Sequence, residues 1–143
     1  MAAKTISYCT AILALLLNAT AIANVADNAA SSPLTSLYLS LHTASPGVSG
    51  NQTTNEAAYG SYARVGITRN SSGFTVASAV ATLTSAQNFP TASSGSETET
   101  FMGVGSASSG AGVLYYFGPL SPTIAVSNGV TPQLPTGTTI TES

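Results

Sequence analysis

Residues 37–42 constrain this chain most: Leu37, Leu39 and Leu41 alternate with Tyr38, Ser40 and His42. A period of two places the leucines on one face of an extended strand, the face turned to the core. The stretch Ala44-Ser45-Pro46-Gly47 breaks it. Similar short runs recur downstream. Ala63, Val65 and Ile67 share one face of a second strand, while Tyr62 and Arg64 share the other. Phe74–Val76, Ala79–Thr84, an edge segment at Phe89-Pro90, Phe101–Ala107, Gly112–Phe117, the run through Leu120, Ile124 and Val126, and Thr138–Thr141 follow, with turn residues between them. The loop Ser108-Ser109-Gly110-Ala111 is short and contains glycine, so the strands on either side of it are expected to form a hairpin. About eight short strands punctuated in this way predict a mainly β chain, a β-sandwich or jelly-roll-like domain. The polar stretches 48–60 and 93–98 read as long exposed loops.

One segment departs from this pattern. Lys4, the apolar run AILALLL at 11–17 and the small-residue site Ala21-Ile22-Ala23 fit a secretory signal. At about 100° per residue, however, Ile6, Tyr8, Cys9, Ile12, Leu13, Leu15, Leu16 and Leu17 cluster in an arc of roughly 200°. Such sidedness suits a retained amphipathic helix, with Ile12, Leu13, Leu16 and Leu17 as its candidate packing or interface residues. A membrane span needs about 20 mostly apolar residues, and Asn18, Thr20 and Asn24 interrupt the run too early. The expected organisation is therefore a helix and linker arm over 1–32 and a β-domain over 33–143.

Charge narrows the function. Only 6% of the 143 residues are charged, and the net charge is −2. Lys4, Arg64 and Arg69 are the only cations, too few for a phosphate-neutralising stripe, so no nucleic-acid partner is expected. A surface covered by Ser, Thr, Asn and Gly has little charge repulsion to keep copies apart, which suits a protein packed in an assembly. Cys9 is the single cysteine and cannot form an intrachain disulfide.

The sequence offers no arrangement for catalysis. His42 is the only histidine, and a structural, hydrogen-bonded role is expected for it. No GxSxG elbow and no GxxxxGK[ST] loop is present. Glu97 and Glu99 read as solvated loop charges, and Gly103, Gly105, Gly110 and Gly112 as turn and close-packing residues. No cofactor and no metal are expected. Glu56 and Arg64 form the candidate structural clamp, because a guanidinium fork can hold a carboxylate and backbone carbonyls together.

The segment Leu37-Tyr38-Leu39-Ser40-Leu41-His42-Thr43-Ala44-Ser45-Pro46-Gly47 resembles a strand of small tailed-phage virion proteins. Glu56 with Ser61-Tyr62-Ala63-Arg64-Val65, Phe89-Pro90, the paired runs 101–107 and 110–118, and Gly129-Val130-Thr131-Pro132 are similar to later elements of that family, in the same order. The resemblance implies a non-enzymatic virion component, assembled in the host cytoplasm and working as a homo-oligomer. Within that class the first expectation is a capsid cement protein, partnered by the major capsid protein or other virion proteins. The alternative is a tail or neck component such as a tail fibre. An exported adhesive or carbohydrate-binding domain is the reading from outside that class.

Overall fold

A computed structural model describes residues 4–22 and 34–142. The linker expected to end the arm falls largely on 23–33, outside the described residues. The chain is mainly β, and among the described residues it has one helix, α1 (Ile6–Asn18), and nine strands: β1 (Ser36–His42), β2 (Val65–Thr68), β3 (Phe74–Ala77), β4 (Val80–Leu83), β5 (Gln87–Asn88), β6 (Ser96–Gly105), β7 (Leu114–Ser127), β8 (Gln133–Leu134) and β9 (Thr139–Thr141). Among the described residues no helix is long and apolar enough to cross a membrane. The chain forms two compact units, one built from 1–35, 68–86 and 135–143, the other from 36–67 and 87–134.

In the first unit, Thr5 opens α1 as its N-cap, its hydroxyl accepting the N–H of Tyr8. Ala19, in the left-handed region at φ 54°, ends the helix. The helix packs on β3 and β4 of an antiparallel sheet ordered β3-β4-β9. The buried stripe is Cys9, Leu13 and Leu17, each four residues from the next, and it is narrower than the apolar arc in the sequence. Ile12 and Leu16 are half-buried, and Ile6 and Tyr8 are exposed. Phe74, Ala81 and Leu83 complete this core.

Two residues join β3 to β4, and both have positive φ: Ser78 at 49° and Ala79 at 63°. That conformation suits the twist of a tight hairpin but normally calls for Asn or Gly. Here the turn is held from both sides. Ala79 N–H donates to the Thr10 hydroxyl on α1 (2.7 Å), and Ala79 C=O accepts the N–H of Glu142 (3.0 Å).

The second unit carries an antiparallel sheet ordered β2-β1-β6-β7 and the short ladder β5-β8. In register, Leu39 faces Val104 and Leu41 faces Met102 across β1 and β6. The expected hairpin is present as β6 and β7, with Gly105 opposite Leu114 and Ser96 opposite Ser127. Between Glu99–Ile124 and Phe101–Pro119 the register slips, so residues 120–123 of β7 bulge opposite Thr100. Leu37, Leu39, Leu41, Phe89, Val104 and Leu134 are fully buried. Each such side chain contributes about 1.5–3 kcal/mol by leaving water.

Three local expectations change. Segment 48–60 is not an exposed loop throughout, because Gln52, Ala57 and Tyr59 are buried. Residues 96–98 belong to β6 rather than to a loop. The second strand starts at Val65, and the residues before it turn aside to build the cluster described next.

Candidate functional site

The second unit gathers its polar side chains around Arg64. Tyr62 and Arg64 precede β2, and Glu56 comes from the segment that pairs with the end of β1 through a His42–Glu56 bridge. Arg64 Nε donates to Glu56 Oε1 (2.6 Å) and Nη2 to Oε2 (2.7 Å), a two-pronged ion pair. The same guanidinium reaches the loop between β6 and β7, where Nη1 donates to Ala107 O (2.9 Å) and Nη2 to Gly110 O (2.7 Å). Its side chain is only 2% exposed, against 15% for Glu56. The sequence-derived pair is thus brought together, and it carries a third partner, a hairpin loop 43 residues further along the chain.

Tyr62 extends the cluster inward. Its hydroxyl donates to Glu56 Oε1 (3.0 Å) and accepts the N–H of Leu41 (3.1 Å). Burial, first of all, holds the phenol far above its ordinary pKa, so it stays a donor at any working pH. Its ring stacks on Phe89 with centroids 6.3 Å apart and meets the edge of Tyr59 at 5.3 Å.

Gln52 grips the same loop from another direction. Its Oε1 accepts the N–H of Ala107 (2.9 Å) and its Nε2 donates to Ala107 O (3.2 Å). The side-chain amide therefore pairs with both backbone groups of one residue, Ala107, as a residue on a neighbouring antiparallel strand would. Gly105 and Gly112 leave it room. A Cβ on Gly105 would stand 2.2 Å from Gln52 Cδ, and one on Gly112 would stand 2.2 Å from Oε1. Gln52 has no hydrophobic period or charge to mark it, so only the glycines hint at it in the sequence.

His42 and Ser40 lie beneath, both fully buried. Ser40 Oγ and His42 Nε2 are 2.8 Å apart, and His42 Nδ1 is 2.9 Å from Thr54 O. A carbonyl can only accept, so Nδ1 carries the proton and Nε2 accepts from the Ser40 hydroxyl. Burial, the largest influence, lowers the imidazole pKa and favours this neutral form. Both ring nitrogens are occupied and neither residue meets solvent, so the pair is a strut inside the sheet.

The remaining cations also act within the fold. Arg69 donates to the carbonyls of Leu15 and Leu16 (both 2.5 Å) and Leu34 (3.1 Å), so it serves the unpaired carbonyls at the C-terminal end of α1. Lys4 pairs with Glu142. Cys9 is a buried free thiol. Among the described residues no group of three His, Cys, Asp or Glu side chains could hold a metal ion.

What these groups do chemically is hold a hairpin. Glu56, Arg64, Tyr62 and Gln52 together tie segment 52–64 to the β6–β7 loop. Beyond that loop runs β7, the last strand of its sheet among the described residues; Tyr115 and Phe117 on it, and Val113 just before it, are exposed to solvent. Compared with known protein families, the chain matches that of the Podophage GP4 fiber I protein gp80 over residues 13–142. No curated protein sequence matches it at significant similarity.

Proposed function

The chain belongs to the podophage GP4 fiber I protein gp80 family and is a phage virion structural protein; from that premise we propose that it is a tail-fibre component, non-enzymatic, acting by assembly. The family match carries this reading, since it spans nearly the whole chain and its description names a fibre. The alternative in which the protein cements the capsid shell draws on the same β-rich, charge-poor character but has no feature of its own in its favour.

The site supports a scaffolding role. Its ionisable and hydrogen-bonding side chains face one another and the backbone. Val113 just before β7, with Tyr115 and Phe117 on it, forms an alternating apolar stripe along the strand that ends its sheet among the described residues. With three cations and five acids in the chain, no strong charge opposes the approach of a second copy. We assign the stripe to contact between copies of this chain, with the clamp keeping the β6–β7 hairpin rigid enough to present it.

Cryo-electron microscopy of virions lacking the protein tests the placement. Loss of fibre density with an unchanged head surface is the expected result. Intact fibres with density missing from the shell would instead support the cement reading and overturn this one.

A further inference from the structure

Glu97 and Glu99 are two positions apart on β6 and so project from one face of the strand. Glu97 Oε1 accepts two backbone N–H groups, those of Ala58 (2.9 Å) and Tyr59 (2.8 Å), and so fastens segment 57–60 to β6. Glu99 is fully buried, and neither of its carboxyl oxygens meets a donor. An ionised carboxylate left unpaired there would be costly. The charged and titratable groups facing it are Glu97 on its own strand and Tyr59 from segment 57–60, and across the ladder β7 opposes it with Ile124. The Tyr59 hydroxyl is engaged elsewhere, donating to Pro90 O (3.1 Å). The Glu97 carboxylate is an acceptor. Two acceptors side by side are stable only when something positive lies between them.

We propose that Glu99 is the neutral acid in the folded protein and shares its proton with the Glu97 carboxylate, making a carboxyl pair that latches segment 57–60 onto β6 and opens when the proton leaves. Donation from Glu99 to Glu97 satisfies the buried oxygen and leaves Glu97 free to hold its two N–H groups. Burial, then the hydrogen bond and charge of Glu97, push Glu99 up to about 8. Burial and the two carboxyls push the neighbouring Tyr59 up to about 12, so it stays neutral throughout this range. The sign follows from linkage. Glu99's pKa is raised on folding, so its stabilisation is complete below the ordinary carboxyl range and is lost as the pH rises through 8. The latch is independent of which part of the virion carries the protein.

Carbon-13 NMR of the full-length chain with labelled glutamate reads the pair directly. A neutral Glu99 carboxyl signal at pH 6.5, with a midpoint near 8, is expected. Between pH 6 and 8 the wild-type folding equilibrium constant should fall about tenfold per pH unit through this one proton. Glu99→Gln, which keeps an N–H donor toward Glu97, should fold and lose that slope. A Glu99 signal already ionised at pH 6.5 would overturn the proposal. So would a Glu99 midpoint that drops below 6 on adding calcium chloride, because the pair would then be sharing a cation. An unchanged slope in Glu99→Gln would contradict it as well.

Discussion

Gln52 and Ala107 pair through both polar ends of the glutamine amide, at 2.9 and 3.2 Å, across 55 residues of sequence. The contact fixes the β6–β7 loop because the backbone at Gly105 and Gly112 comes so close to the amide. Gly105→Ala should therefore unfold the second unit at lower urea, by about 1–3 kcal/mol. Shortening the side chain relieves that clash, so the double variant Gln52→Ala/Gly105→Ala should be more stable than the sum of the two single effects. A double-mutant cycle by urea denaturation measures the difference, and strict additivity would mean the two residues do not meet.

Arg64 makes its four hydrogen bonds with a side chain almost fully out of water. Removing it leaves Glu56 partly buried with only Tyr62 as a side-chain donor. Arg64→Met should cost about 3–5 kcal/mol in denaturant unfolding. Arg64→Lys should recover only part of this, since an ammonium cannot present the planar fork. Adding Glu56→Gln to Arg64→Met should restore stability by removing the unpaired charge.

Much of this was legible from residues alone. The alternation at Leu37–His42 identified β1, the Gly-containing loop at 108–111 identified the β6–β7 hairpin, and the rarity of charge drew attention to Glu56 and Arg64. Three features were not legible, for physical reasons. Glu99 looks solvent-facing because it sits among Ser and Thr, yet it is fully buried with Tyr59 near it, a long-range relationship with no local signature. The helix wheel separates apolar from polar residues but not covered from uncovered ones, so it could not single out Cys9, Leu13 and Leu17. Arg69 serves helix carbonyls 53 and 54 positions away, a relationship that only folding creates.

Ser78 is exposed and held at φ 49°, where an L-residue with an ordinary side chain is strained by about 1–2 kcal/mol. Asn tolerates that region better. Ser78→Asn should stabilise the first unit by roughly 0.5–1 kcal/mol, seen as a higher melting temperature. A lower melting temperature would show that the turn is held in another geometry.

Leu13 is fully buried at the centre of the helix stripe. Leu13→Ala should destabilise the chain by about 2–5 kcal/mol, whereas Ile6→Ala, at an exposed position, should stay within about 0.5 kcal/mol. Equal effects by thermal unfolding would mean that α1 packs through a different face.

Val113 and Tyr115 form part of the stripe assigned to contact between copies. Val113→Lys/Tyr115→Lys should shift the protein to a smaller species in sedimentation without altering its circular dichroism. An unchanged sedimentation coefficient would remove β7 from the interface.

Copy number per virion tests the central claim most directly. Quantitative mass spectrometry of purified particles, calibrated on the major capsid protein, should give a small multiple of the tail's rotational symmetry if this protein builds fibres. A stoichiometry approaching that of the capsid subunits, on the order of hundreds of copies, would contradict the account and place the protein on the shell.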